Sequence, residues 1–203
     1  MDLTKDRKTL KELYQPSRAA FSLVDVPALP FAMIDAEGSP DHGAGANVVK
    51  ALFSAIYPIR TEARKRMGKS FVDAPLEMLF WADDMKDIAA GNRENWNWRA
   101  MITLPAWTDE EMFATAIETA AEHMEEVPTS LRMETLEEGR SVQIMHVGTA
   151  DEIPALLEKL YQDFLPENQL APTGAYHEIY LEDWSRTAPE RRKIILRQPV
   201  QPL

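Results

Sequence analysis

The chain has 203 residues, a formal net charge of −11 at pH 7 and no cysteine. This length suits one domain or two closely joined half-domains with a shared core. The acidic balance argues against a surface that binds nucleic-acid phosphates, which needs clustered basic residues, and it is compatible with a neutral or cationic ligand. The lack of cysteine excludes disulfides, thiolate catalysis and cysteine-ligated zinc.

Targeting and cofactor signals are not found in the sequence. The N-terminal segment 1–7 has no apolar stretch typical of a signal peptide, and no apolar run approaches the roughly 18 residues of a membrane span. No spacing of His, Asp and Glu resembles a metal site, and there is no phosphate-binding or dinucleotide-binding glycine motif. We therefore expect a cytoplasmic protein with no metal, no cofactor and no membrane segment.

A first half-module is predicted over residues 17–105, after a short helix over 4–14. Its apolar patterns indicate four strands and one helix. The strands lie at 21–27, 31–37, 75–82 and 98–105, and the helix lies at 48–57. A proline-rich turn joins the first two strands as a hairpin. Pro58 is expected to kink or end the helix, and the basic, polar stretch 59–69 is compatible with its continuation as a surface helix.

A linker helix is predicted within residues 106–128. Thr108 and Glu111 have the spacing of a capping box at its start, and the helix should stop before Pro128. This helix separates the two halves of the chain.

The second half-module, 129–203, repeats the pattern of the first. Its strands are predicted at 131–136, 141–147, 176–181 and 194–199, with a helix at 153–164. The first two strands form a hairpin, and its acidic residues Glu134, Glu137 and Glu138 are interpreted as solvent-exposed.

The order strand, strand, helix, strand, strand therefore occurs twice, which indicates a duplication. The predicted fold class is α+β, with two pseudo-symmetric modules that together form a sheet. A ligand groove is expected at the pseudo-two-fold axis between the modules.

Two glutamates on apolar strands are the candidate catalytic residues. Glu178 lies on the strand 176–181, and Glu77 lies on the strand 75–82 of the other half. If the halves are duplicates, the two carboxylates should face one groove, and one of them should have a raised pKa, as an acid–base pair requires. The competing interpretation is a glutamate on a solvated strand face.

Five aromatic residues are candidates for substrate binding by stacking on a planar ligand: Tyr57, Trp81, Trp98, Tyr161 and Tyr180. Core packing is the competing interpretation, because an aromatic on a helical stripe is usually part of the core. His146 and His177 lie on apolar strands and are more typical of satisfied core residues than of catalytic ones.

Several segments resemble a known family, the GyrI-like small-molecule-binding proteins, in its stand-alone branch without a DNA-binding domain. The segments are Leu76-Glu77-Met78-Leu79-Phe80-Trp81-Ala82-Asp83-Asp84, Val142-Gln143-Ile144-Met145-His146-Val147-Gly148, His177-Glu178-Ile179-Tyr180-Leu181, Arg186-Thr187-Ala188-Pro189-Glu190 and Leu196-Arg197-Gln198-Pro199-Val200. The resemblance covers essentially the whole chain, 1–203, as a single domain of two SHS2-like modules.

The resemblance implies a function as well as a fold. It implies that planar, lipophilic and often cationic compounds bind in the central groove. It also implies that some stand-alone members hydrolyse the reactive cyclopropane ring of DNA-alkylating natural products. Two alternatives stay open: a non-catalytic protein that binds or sequesters drugs, and a protein that acts on a protein partner.

Overall fold

The computed structural model describes residues 7–40, 44–68, 72–83, 87–88, 93–124, 126–183 and 186–203. The strands are β1 (Ser22–Val26), β2 (Leu29–Glu37), β3 (Leu76–Trp81), β4 (Asn97–Thr103), β5 (Arg132–Leu136), β6 (Gly139–Val147), β7 (Leu170–Pro172), β8 (Tyr176–Tyr180) and β9 (Lys193–Pro202). The helices are α1 (Arg7–Tyr14), α2 (Ala44–Met67), α3 (Glu110–Ala121), α4 (Ile153–Glu158) and α5 (Leu165–Glu167), with a π-helical segment at Lys159–Phe164. Residues 4–6 of the predicted first helix lie outside the described ranges.

The strand order shows the predicted duplication. Eight strands lie in the order β1-β6-β9-β8-β3-β4-β2-β5, and β7 pairs with the end of β9. Exchanging β1 with β5, β2 with β6, β3 with β8 and β4 with β9 gives the same order read backwards. The equivalent strands β1 and β5 have five residues each, and β2 and β6 have nine. The α+β fold of two pseudo-symmetric modules is confirmed, with the two-fold axis between β3 and β8.

The first strand of each half pairs with the other half. β1 pairs with β6, and β5 pairs with β2, so the two predicted hairpins are wrong. Val26 pairs with Gly139 and Leu29 pairs with Leu136, which keeps one register on both sides of the short breaks at 27–28 and 137–138. The segments 22–37 and 132–147 therefore form one long antiparallel ribbon, in which neither break reverses the chain.

This ribbon forces the sheet to curl. In a flat sheet, β1 and β2 would be six strand spacings apart, roughly 29 Å at about 4.8 Å each. Only two residues separate Val26 from Leu29, and three Cα–Cα steps reach at most about 11 Å. The two ends of the sheet must therefore approach each other, and one face becomes an inner face.

The two faces carry separate cores. On the inner face, Leu13 of α1 packs with residues from both the ribbon and the central strands: Val26, Leu29, Phe31, Met33, Leu79 and Met101. On the outer face, α2, α3 and α4 cover the sheet, and their core residues include Leu52, Ile56, Phe113 and Leu157. Burial of this apolar area on both faces is the main stabilising term. Across the described residues, no helix combines the length and the apolar character needed to cross a bilayer.

Two helices differ from their predicted limits. α2 continues through Pro58 to Met67, so the proline does not end it. α3 begins later than predicted, because its N-cap is Asp109, whose side chain accepts a hydrogen bond from the backbone N–H of Met112 at 2.8 Å. The predicted capping box of Thr108 is therefore wrong, and among the described residues the buried Thr108 hydroxyl has no partner.

The two cap assignments can be separated by mutation. Asp109→Ala should lower the free energy of unfolding by about 1 kcal/mol, because the helix loses its N-cap acceptor. Thr108→Val should leave it unchanged or raise it, because it removes a buried hydroxyl without a partner. Urea unfolding measures both variants. A loss for Thr108→Val as large as that for Asp109→Ala would show that Thr108 is the cap.

Candidate functional site

Three facing residue pairs occupy the centre of the outer face, where β3 meets β8. Directly opposed residues of antiparallel strands lie on the same face. The pairs are Leu76 with Tyr180, Met78 with Glu178, and Phe80 with Tyr176. We call these three pairs the central ladder. The ladder lies at the pseudo-two-fold axis, where the sequence predicts a ligand groove.

Glu178 is the charged residue of the ladder and is held by its own strand neighbours. The Tyr176 hydroxyl donates to Glu178 Oε1 at 3.0 Å, and the Tyr180 hydroxyl donates to Oε2 at 2.5 Å. All three side chains project from one face because they alternate along β8. Glu178 is only 5% exposed. Burial, and then the charge of Glu178, raises the pKa of Tyr176 well above its usual value.

The ladder is more deeply buried at one end than at the other. Phe80 and Tyr176 are buried, with their rings stacked at a centroid distance of 6.2 Å. Leu76 and Tyr180 at the opposite end are half-buried. The Leu76–Tyr180 end is therefore the end of the ladder that lies nearer to solvent.

The other aromatic candidates, apart from Trp81, differ in how deeply they are buried. Trp98 is on the outer face and buried, and among the described residues its indole N–H has no acceptor. Tyr161 lies on the π-helical segment and donates to Gln198 Oε1 at 2.6 Å. Tyr57 on α2 is 61% exposed, unlike Tyr161, its predicted counterpart. The roles of these three residues in substrate binding stay predictions.

Glu77 and Trp81 lie on the inner face. Glu77 pairs with Ile179, and it is therefore on the opposite side of the sheet from Glu178. Trp81 packs into the inner core, with the Arg99 guanidinium 5.7 Å from the centre of its ring. The prediction that both glutamates face one groove is wrong, and Trp81 lies on the face of Glu77 and not on that of Glu178. A two-fold axis through the sheet keeps each residue on its own face, so the two glutamates are not equivalent positions.

Glu77 belongs instead to a buried polar cluster on the inner face. The hydroxyls of Tyr14 and Thr103 each donate to Glu77 Oε1 at 3.0 Å. Glu77 Oε2 lies 3.0 Å from His177 Nε2, which is close without the alignment of a hydrogen bond. Glu77 is 1% exposed and His177 is fully buried.

His177 connects Glu77 to two further charged residues, and we call Glu77, Glu138, His177 and Arg197 the inner ion cluster. His177 Nδ1 lies 2.9 Å from Glu138 Oε1, and Arg197 Nη1 lies 3.1 Å from Glu138 Oε2. Burial opposes a charged His177, but Glu138 and then Glu77 outweigh it and raise the pKa of His177 to about 9. Burial opposes a charged Glu138 too, but His177 and Arg197 lower its pKa to about 2. Glu138 is therefore not the solvent-exposed residue that its acidic neighbours suggest.

The inner ion cluster also fixes α1 against the sheet. Arg197 Nη2 donates to the backbone carbonyl of Leu13 at 2.7 Å. Gln143, which accepts from Arg197, donates to the carbonyl of Glu12 at 2.7 Å. These two carbonyls belong to the last turn of α1, where helix carbonyls lack intrahelical partners. Among the described residues, no group of three or more His, Asp and Glu side chains is arranged to hold a metal ion.

The fold and the central ladder can now be compared with known proteins. A family model of the GyrI-like small-molecule-binding domain matches residues 19–199. The chain belongs to the GyrI-like family. No curated protein matches it.

Solved structures support the GyrI-like assignment. An uncharacterized conserved protein from Listeria innocua is 32% identical, with a TM-score of 0.81 over 94% of this chain and 96% of that one. A hydrolase from the same organism is 31% identical, with a TM-score of 0.77 and the same shares covered. The EcmrR C-terminal domain has a TM-score of 0.58 at 14% identity, over 91% of this chain and 98% of that one, and shares the fold alone.

Sequence reasoning missed three features of this GyrI-like site. Tyr176 has the same alternation as Glu178 and Tyr180, so the strand pattern was sufficient to place it beside the carboxylate. Met78 was missed because the sequence pattern predicts Glu77 as the equivalent of Glu178, whereas the residue opposite Glu178 is Met78, one position later. The π-helical segment carries no pattern that distinguishes it from an α-helix, although such segments are frequent at functional sites.

The inner ion cluster should make the stability of this GyrI-like protein pH-dependent. The pKa of His177 is raised from 6.5 to about 9, so its contribution is fully present below pH 6.5 and is lost as pH rises through 9. By linkage, the free energy of unfolding should fall by about 3 kcal/mol over this range. Urea unfolding between pH 6 and pH 9.5 measures the effect.

The matched variant for this prediction is His177→Gln, which removes the titrating group. Its stability should be lower than that of the natural protein at pH 6 and should have a flatter dependence on pH up to 9.5. An equal slope in both proteins would show that a group other than His177 titrates.

Proposed function

We propose that this protein binds a planar, lipophilic, neutral or cationic small molecule over the central ladder and hydrolyses an activated cyclopropane ring in it. The observation that carries the proposal is a buried carboxylate held between two phenol hydroxyls, beside a half-buried end of the ladder, at the centre of a small-molecule-binding fold. A hydrolase from Listeria innocua with 31% identity over 94% of this chain supports the catalytic part.

Opening an activated cyclopropane by water needs one base and one proton donor. In the proposed step, the Glu178 carboxylate takes a proton from water as the water oxygen bonds to a ring carbon. The ring C–C bond breaks, and its electron pair moves to the conjugated carbonyl oxygen, which takes the proton of Tyr180. Tyr180 then regains a proton from Glu178 along their hydrogen bond, so the net change is the addition of one water.

One glutamate is sufficient for this chemistry. Glu77 takes no part, because it lies on the inner face, where it accepts hydrogen bonds from Tyr14 and Thr103 and lies beside His177. Tyr176 holds the second oxygen of Glu178 and keeps the carboxylate in place. Trp98 and Tyr161, on the outer face and on the π-helical segment, are proposed to contact the aromatic part of the substrate.

Loss of the carboxylate tests the catalytic proposal. With an activated cyclopropyl-indole compound, ring opening followed by absorbance should be at least about 100-fold slower for Glu178→Gln than for the natural protein, because the general base is lost. Glu138→Gln is the matched control, since it removes a buried carboxylate from the other face. Glu138→Gln should keep the turnover of the natural protein at a temperature where circular dichroism shows both variants to be folded.

Binding without turnover is the second candidate function, and the description of the family as a small-molecule-binding domain favours it. A protein that only binds or sequesters its ligand would give stoichiometric quenching of tryptophan fluorescence with unchanged compound. Equal ring-opening rates for the natural protein and Glu178→Gln, with binding intact, would support this candidate and exclude the catalytic one.

A further inference from the structure

The two sides of the central ladder have opposite polarity. The two sides belong to β3 and β8, which are equivalent strands of the two halves and begin at Leu76 and Tyr176. The duplication therefore relates the three outer-face residues of β3 to the three of β8. On β8 these are Tyr176, Glu178 and Tyr180, and on β3 they are Leu76, Met78 and Phe80. Each of the three β8 residues therefore has an apolar symmetry equivalent on β3, and the β3 residue directly opposite it is apolar too.

From this we infer that Met78 determines specificity, by making the site select planar compounds whose hydrogen-bonding groups lie at one end only. Such a compound would bind in one orientation, with its polar end over β8 and its apolar end over β3. The inference rests on the ligand binding proposed above and does not depend on hydrolysis.

Met78 occupies the position that decides this one-sidedness. It lies directly opposite Glu178 at the middle of the ladder, and it is buried. The thioether of methionine is apolar and polarizable, and it packs well against aromatic rings. A ligand hydroxyl placed over Met78 would lose its water without gaining a partner, and an unsatisfied buried polar group is costly.

The β8 side has the complementary property. Three hydroxyl and carboxylate groups lie within one strand there, joined by the two hydrogen bonds of Glu178. A hydrogen-bonding group of the ligand finds partners over this side, and a purely apolar end would offer none to the half-buried Tyr180. Both sides therefore favour the same orientation.

Two isomers of dihydroxynaphthalene test the inference. The 2,3-isomer has both hydroxyls at one end, and the 2,6-isomer has one at each end, so the two probes have the same size and the same number of polar groups. Isothermal titration calorimetry should give an affinity at least about 10-fold higher for the 2,3-isomer with the natural protein, since one unsatisfied polar group is enough for that ratio.

Variants on the β3 side should remove this preference. Met78→Gln places a hydrogen-bonding group opposite Glu178 and should bring the affinity ratio of the two isomers close to one. Leu76→Gln changes the half-buried end of the same side and should also lower this affinity ratio. It tests the inference if Met78→Gln does not fold. Met133→Gln is the control, a half-buried methionine on the outer face at the edge strand β5, and it should keep the natural ratio.

The possible results separate this inference from the proposed function. Equal affinities of the two isomers for the natural protein, or a ratio unchanged in Met78→Gln and Leu76→Gln, would overturn the one-sided site and leave small-molecule binding intact. Binding of neither isomer, together with no binding of the cyclopropyl-indole compound, would overturn both. A ratio that falls in the two β3 variants and not in Met133→Gln would establish Met78 as a determinant of specificity.

Discussion

The pairing of segment 22–37 with segment 132–147 is the constraint on which the rest of the structure depends. Because each half gives its first strand to the other half, the two halves cannot separate without breaking both β1–β6 and β2–β5. The exchange also curls the sheet and creates an enclosed inner face. The outer face is then left for the helices, with β3 and β8 meeting at its centre.

The inner face holds a cluster of acidic and basic side chains. Two acidic and two basic side chains of the inner ion cluster are brought together there, so their formal charges balance. Balanced pairs with further hydrogen bonds offset the large cost of removing ions from water, whereas a single unpaired ion would not be tolerated. The cluster thus joins α1, the 137–138 break and three central strands by directional contacts, in a region where apolar packing alone would leave the register less well specified.

The two faces also explain how two carboxylates of similar sequence context come to have different surroundings. Glu77 and His177 lie on neighbouring strands and contact each other on the inner face. Glu178, one residue after His177, points the other way and accepts hydrogen bonds on the outer side from Tyr176 and Tyr180. In a strand, one step in sequence is a change of face, so adjacent residues can belong to a structural ion cluster and to a ligand site.

Much of this protein was determined by its sequence alone. Apolar periodicity placed the helices and most strands, and the repeated order of elements established the duplication, because such patterns depend only on which residues must be buried. The alternation along 176–180 also placed Glu178 and Tyr180 on one face of their strand. Strand partners, by contrast, were decided only by the tertiary structure. A strand does not encode which edge it pairs with, so the exchanged strands, the burial of Glu138 and the separation of Glu77 from Glu178 all followed from long-range register, where a shift of one residue moves a side chain to the other face.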